Sequence, residues 1–231
     1  MNQHGFTWVQ AIPGLSALPA NTATALLIAA LLLFLARSAR HRLDTDPTPL
    51  VPDGRLTARD FFEVITGWLA DLAEGMIGHG ARRYVPFFAT IFLFILFANL
   101  IGLVPGFTPP TDSFHTTFAL GVVSFFVYNY YGFQEHGAKY LKHFMGPVVW
   151  LAPLMIVVEL FSHAFRPISL AIRLFGNMFA DHLVLGIFTD LTKLVAPVAF
   201  YMLGALVCVV QAFVFTVLSM VYVALAVSHD H

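Results

Sequence analysis

The sequence has little charge. Asp, Glu, Lys and Arg make up 11% of its 231 residues, whereas a typical soluble domain has about a quarter. Hydrophobic residues account for 58%, the formal net charge is -1, and the mean hydropathy is strongly positive. This composition excludes an ordinary cytosolic globular protein. It also provides no basic surface for nucleic acid, so no nucleic-acid partner is expected.

Cysteine is nearly absent as well. The single cysteine, Cys208, lies inside an apolar block, so no disulfide can form within the chain and a small core residue is the preferred interpretation. No glycine-rich phosphate loop or cluster of metal-ligating residues is found, and we expect no cofactor and no metal. The first apolar block is not preceded by a basic region or followed by a cleavage site, so it is expected to remain as a membrane anchor.

Long apolar blocks are the main feature of the sequence. A helix needs about 20 apolar residues to cross roughly 30 Å of hydrocarbon, and such windows predict five membrane segments, at 18–36, 85–104, 115–133, 148–188 and 195–227. We therefore expect one all-α membrane domain over residues 1–231, in which 85–133 is a helical hairpin. The last two segments exceed a simple crossing, so they must be bent, steeply tilted or broken, and 148–227 is predicted to be a long tilted hairpin.

Basic residues predict the orientation, because short loops rich in Lys and Arg stay in the cytoplasm. Most of them lie between the first and second segments or between the third and fourth: Arg37, Arg40, Arg42, Arg55, Arg59, Arg82, Arg83, Lys139 and Lys142. The N-terminal 20 residues and the loop 105–114 contain none, which places the N-terminus outside and the C-terminus in the cytoplasm. Lys193 opposes this rule.

Residues 57–83 have a different pattern, in which apolar side chains recur at helical spacing opposite Asp60, Glu63, Asp71 and Glu74. This pattern predicts an amphipathic surface helix, which could lie on the membrane or pack on a partner protein.

The fourth segment carries polar residues at gaps of mostly three or four, which stacks them along one helical face. They are Glu159, Ser162, His163, Arg166, Ser169, Arg173, Asn177 and Asp181. From the residues alone, structural roles are favoured for Ser162, Ser169 and Arg166, while His163 and His182 are evenly balanced. Arg173 differs, because a guanidinium cannot become neutral to avoid a penalty of about 3 kcal/mol or more at the bilayer centre. We expect it to function in ion movement.

The fifth segment has its own stripe at helical spacing, formed by Gly204, Cys208, Gln211, Ser219 and Tyr222. Small residues allow another helix to approach closely. Gln211 could hydrogen-bond to Arg173 across an antiparallel hairpin, or it could serve only to hold two helices together.

The segment from Arg166 to Met178, Arg-Pro-Ile-Ser-Leu-Ala-Ile-Arg-Leu-Phe-Gly-Asn-Met, together with Gln211-Ala212-Phe213, resembles subunit a of the bacterial F-type ATP synthases. The resemblance extends in outline over the whole chain, through Asn99-Leu100-Ile101-Gly102-Leu103-Val104-Pro105. It implies a non-catalytic stator in the bacterial inner membrane. The implied partners are a ring of c subunits, b-type peripheral stalk subunits, the remainder of the complex and lipid.

By this resemblance Arg173 is the essential ion-coupling residue. The resemblance implies roles in proton access or in support of that arginine for Glu159, Ser169, Asn177, His182 and Gln211. We also place His163, Asp181, Tyr222, Asp112 and His115 on the expected proton path. The chain departs from the family pattern in having Asp181 before His182, which suggests an additional titratable group on the path. A loop that commonly reads Asp-Leu-Asn-Thr-Thr is Ser-Phe-His-Thr-Thr here, and its acid is Asp112.

The implied mechanism has a physical basis. A ring carboxylate that faces lipid must be protonated, whereas near Arg173 its charged form becomes favourable. A secondary ion-coupled transporter is the main alternative, but it predicts inverted repeats that the sequence lacks. An intramembrane hydrolase is weaker, since Glu159 and His163 lack a third ligand. Proton and sodium both remain open as the coupling ion.

Overall fold

The computed structural model describes residue 8 and residues 18–45, 58–78, 80–137, 152–191 and 195–227. Six α-helices occupy this part of the chain: α1 Ala20–Thr45, α2 Ala58–Ile77, α3 Val85–Leu100, α4 Phe114–His136, α5 Ala152–Leu191 and α6 Val195–Val227. Short 3-10 turns cover Ala81–Tyr84, Ile101–Leu103 and Pro110–Asp112. These residues contain no strand, and the prediction of an all-α membrane protein is confirmed.

Four helical segments of the described residues are long and apolar enough to cross a membrane: Ala20–Ser38, Ala81–Leu103, Leu154–Thr189 and Val198–Val227. Helix α4 covers the remaining predicted segment, 115–133, but it does not meet this criterion because residues such as Ser124 and Asn129 interrupt its apolar run. Lys139 and Lys142, which supported the predicted orientation, and Lys193, which opposes it, lie outside the described residues. The fifth crossing therefore stays a prediction.

Helix α2 ends at Ile77, several residues before the predicted boundary at 83. Gly78 and Gly80 follow it with φ of 88° and 93°, a conformation that glycine adopts without steric cost and that terminates an α-helix. On its inner face Leu69 and Ala73 are fully buried. The helix packs on α3 and α6, so at least part of its apolar face is covered by the chain itself.

The core lies where α3, α4, α5 and α6 meet. Phe88 and Ile95 of α3, Leu174 of α5, and Phe215 and Val223 of α6 are almost completely buried. Helix α4 approaches α5 closely at Gly121, where a Cβ atom would lie 2.5 Å from the carbonyl oxygen of Pro167. Packing of this kind, with small residues at the contact, is how helices associate in a membrane.

Helix α5 is one continuous helix of 40 residues with Pro167 inside it. At 1.5 Å per residue it is about 60 Å long, twice the thickness of the hydrocarbon layer. The sequence left open whether this segment is bent, tilted or broken, and within 152–191 it is not broken. Residues 148–151 of the predicted segment lie outside the described residues.

Candidate functional site

Arg173 lies on the outward face of α5. Its neighbours on the inward side, Ala171 and Leu174, are fully buried, whereas Arg173 itself is exposed beside Ile172, which is 55% exposed. Within the described part of the chain Arg173 makes no hydrogen bond or ion pair. A permanently charged guanidinium on an apolar helix face is costly unless a counter-charge or water reaches it, and the described residues supply no such counter-charge.

Asn177 and Gln211 join α5 to α6 one turn beyond Arg173. The Asn177 Nδ2 atom donates to Gln211 Oε1 over 2.5 Å, and Gln211 is only 3% exposed. Of the two possibilities left open for Gln211, a hydrogen bond to Arg173 is not found among the described residues, and the contact with Asn177 instead joins the two helices. The Gln211 Nε2 atom is buried and has no hydrogen-bond partner.

A first polar cluster lies N-terminal to Arg173 and contains Glu159, His163 and Arg166 of α5, Tyr128 of α4 and Tyr222 of α6. The His163 Nε2 atom is 3.3 Å from Glu159 Oε1, and His163 Nδ1 is 3.0 Å from the Tyr128 hydroxyl. The Arg166 guanidinium lies 4.0 Å from Glu159 Oε1 and 5.3 Å from the centre of the Tyr222 ring. We call this group the tyrosine–histidine cluster.

A second polar cluster lies C-terminal to Arg173, around Asp181 and His182. The two ring nitrogens of His182 face backbone carbonyl oxygens, Nδ1 that of Met178 at 2.9 Å and Nε2 that of Gly102 at 3.3 Å. Both carbonyls are acceptors, and a neutral imidazole has one N–H, so both contacts are hydrogen bonds only while the ring holds a second proton. Gly204 of α6 lies against the neighbouring carboxylate, since a Cβ atom there would be 2.8 Å from Asp181 Oδ2.

Asp112, in the turn before α4, interacts electrostatically with His182. Burial raises the pKa of the Asp112 carboxyl above its ordinary value, and the nearby His182 partly opposes this shift. The Asp112 Oδ1 atom is buried without a hydrogen-bond partner. The structure thus brings Asp112 to the second cluster, whereas His115 is exposed in the first turn of α4.

The predicted polar track does not form a single surface. Ser169, Arg173 and Asn177 are exposed, whereas His163 is only 6% exposed and faces α4. Along the axis of α5, Arg173 lies about 20 Å from Glu159 and about 14 Å from His182 at 1.5 Å per residue. Two separate polar clusters therefore flank one unpaired cation. Among the described residues no group of three or more His, Cys, Asp and Glu could hold a metal.

Tyr128 and Gly121 were not among the predicted site residues. Both belong to the buried face of α4, which consists of Thr117, Gly121, Ser124, Tyr128 and Gly132. These residues recur at gaps of three and four, so they formed a small and polar helical stripe that was visible in the sequence. The stripe was difficult to recognise because Tyr130 and Tyr131, which lie next to Tyr128 in the sequence, are also tyrosines but lie on other faces of the helix.

Comparison with known sequences gives consistent results. The model of the family described as "ATP synthase A chain" matches residues 21–224. The ATP synthase subunit a of Bdellovibrio bacteriovorus is 46% identical over 227 residues, which cover 98% of this chain and 99% of that protein. ATP synthase subunit a 1 of Syntrophotalea carbinolica is 44% identical over 89% of this chain and 84% of its own length. ATP synthase subunit a of Solibacter usitatus is 46% identical over 89% of this chain and 86% of its own length.

Proposed function

Because this chain belongs to the family of ATP synthase a subunits, we propose that it is the stator that couples transmembrane proton flow to rotation of a ring of c subunits. It provides two proton half-channels and an arginine barrier between them, and it carries out no catalysis itself. It resides in a bacterial inner membrane with its N-terminus outside and its C-terminus in the cytoplasm. Its further partners are b-type peripheral stalk subunits and the remainder of the complex.

The observation that carries this proposal is the exposed, unpaired Arg173 between two polar clusters. A ring carboxylate that faces lipid is protonated, since an isolated charge in hydrocarbon is costly. Opposite Arg173 the carboxylate is stabilised in its charged form, so it releases its proton there. The same positive charge repels a proton that would pass directly from one cluster to the other.

Separation of the clusters supports the two half-channels. The tyrosine–histidine cluster is near the end of α5 predicted to be cytoplasmic, and the Asp181–His182 cluster is near the end predicted to be outside. A proton that enters from one side must bind to a ring carboxylate and be carried by rotation of the ring before it leaves at the other side. Each proton charge that falls through 100 mV releases about 2.3 kcal/mol, so several protons are needed for one ATP synthesised elsewhere in the complex. No observation on this chain favours the secondary transporter alternative.

The test is ATP-driven proton pumping in membrane vesicles that carry the whole complex with Arg173→Ala. We expect pumping to be lost and a passive proton leak to appear. The matched control is Arg82→Ala, because Arg82 is an exposed arginine whose side chain pairs with Glu74 outside the two clusters. Full pumping by Arg173→Ala would overturn the proposal, as would equal loss in both variants.

A further inference from the structure

Tyr128 and His163 form a buried pair within the tyrosine–histidine cluster, and the proposed function gives neither side chain a role of its own. Tyr128 is 1% exposed and His163 is 6% exposed, and their rings lie nearly parallel with centres 5.9 Å apart. The side chain of Glu159, by contrast, is 34% exposed. The three groups thus run from an accessible carboxylate, through an imidazole, to a phenol in the core between α4 and α5.

The Tyr128 hydroxyl suits both protonation states of the imidazole. When the neutral ring carries its proton on Nε2 and directs it to Glu159, the hydroxyl donates to Nδ1. When Nδ1 carries a proton, the hydroxyl rotates and its oxygen accepts. A phenylalanine at this position would fill the same space but could do neither.

We propose that Tyr128 is a positioning residue of the proton path, which holds the His163 ring so that its Nε2 atom exchanges a proton with Glu159. This inference rests on the proposed function. The transfer is balanced without any co-reactant, because the Glu159 carboxylic acid gives its proton to Nε2 of a ring already protonated on Nδ1. The products are a carboxylate and an imidazolium that still donates to the Tyr128 oxygen.

The charged and titratable groups around His163 fit this role. On α5 the Arg166 cation is 4.0 Å from Glu159 Oε1, so the carboxylate has a positive neighbour whether or not His163 is protonated. On α4 and α6 the rings of Tyr128 and Tyr222 lie 5.8 Å and 5.3 Å from the Arg166 guanidinium carbon. These contacts hold Arg166 beside the carboxylate and leave the Nε2 side of His163 facing Glu159.

The experiment measures the pH dependence of ATP-driven proton pumping in vesicles that carry the whole complex, normalised to the amount of assembled complex. The variants are Tyr128→Phe, His163→Gln and the double variant. The control is Tyr131→Phe, which removes the same hydroxyl from the same helix at a ring that packs on Tyr84 instead. Arg173→Ala in the same assay tests the proposed function separately.

We expect Tyr128→Phe to displace the midpoint of the pumping profile by about half to one pH unit, the shift produced by losing one hydrogen bond to a titrating group. His163→Gln should abolish that transition, and Tyr128→Phe should have no further effect in its background. A Tyr128→Phe profile that coincides with that of Tyr131→Phe would overturn the proposal, and so would an undiminished effect of Tyr128→Phe in the His163→Gln background. If the complex with Tyr128→Phe fails to assemble, the His163→Gln variant tests the proposal instead. A pH profile of pumping that His163→Gln leaves unchanged would then refute the proposal.

Discussion

The contact between Gly121 of α4 and Pro167 of α5 makes a sharp prediction for Gly121→Ala. A Cβ atom at Gly121 would lie 2.5 Å from the Pro167 carbonyl oxygen, 3.3 Å from its carbonyl carbon and 3.4 Å from its Cα, whereas ordinary contact begins at 3.4 Å. The helices must therefore separate by roughly 0.9 Å, the difference between 3.4 Å and 2.5 Å. All three obstructing atoms are backbone, so no side chain can rotate away.

Overpacking of this kind costs about 1–3 kcal/mol. Alanine has a better helix propensity than glycine, which offsets up to about 1 kcal/mol of that cost. The backbone obstruction places the cost in the upper part of that range, about 2–3 kcal/mol, so the net destabilisation of about 1–2 kcal/mol should lower the thermal midpoint by about 2–8 °C for a chain of this size. Because the separation also moves Tyr128 away from His163, the pH profile of pumping should shift in the same direction as that of Tyr128→Phe.

Thermal unfolding of the purified chain in detergent, followed by circular dichroism, measures this effect. Gly67→Ala in α2 is the control, since its Cβ atom would have no atom within 4 Å. Its midpoint should stay the same or rise slightly, because only the helix propensity changes. Equal midpoints for the two variants would refute the close approach of α4 to α5.

Two further predictions concern the other polar contacts. Leucine substitutions at Asn177 and Gln211, singly and together, should show a coupling of about 0.5–1.5 kcal/mol in the free energy of unfolding, and additive single effects would contradict the hydrogen bond between them. For Asp112→Asn the pKa gives the sign: a carboxyl whose folded pKa is raised by burial destabilises the fold once it ionises. Below pH 3.8 the variant should therefore have the same thermal midpoint as the parent. As the pH rises through the raised pKa, the midpoint of the variant should increasingly exceed that of the parent. A constant difference between the two midpoints at all pH values would argue against the raised pKa.

The helices and their polar residues could be predicted because each depends on local pattern. Apolar length alone located α1, α3, α5 and α6, and gaps of three and four grouped Glu159 with His163. The C-terminal boundary of α2 was predicted less accurately. Its apolar periodicity ends at Ile77, but the predicted boundary at 83 carried the helix past Gly78 and Gly80, which adopt a positive φ in the folded backbone and end it.

Contacts between helices could not be predicted in the same way. The sequence places Gln211 on a helix that follows α5, but the rotation of the two helices decides whether its amide meets Arg173 or Asn177. Arg173 and Asn177 are four residues apart, so they differ by only about 40° around the α5 axis and by about 6 Å along it, and a small change in helix rotation or axial position separates the two outcomes. Similarly, periodicity places Tyr128 and Tyr131 on different faces of α4, but it does not show that Tyr128 contacts His163 and Tyr131 contacts Tyr84.

The outward position of Arg173 also determines how stable a solitary copy of this chain is. Arg173 lies on an apolar helix face, and a charge that faces hydrocarbon costs about 3 kcal/mol or more. Under the proposed function, binding of a ring of c subunits that supplies a counter-charge would remove that cost. By mass action the bound form is then favoured over the free form. Subunits made in excess of the ring should consequently be short-lived, and Arg173→Ala should lengthen the lifetime of those orphan chains.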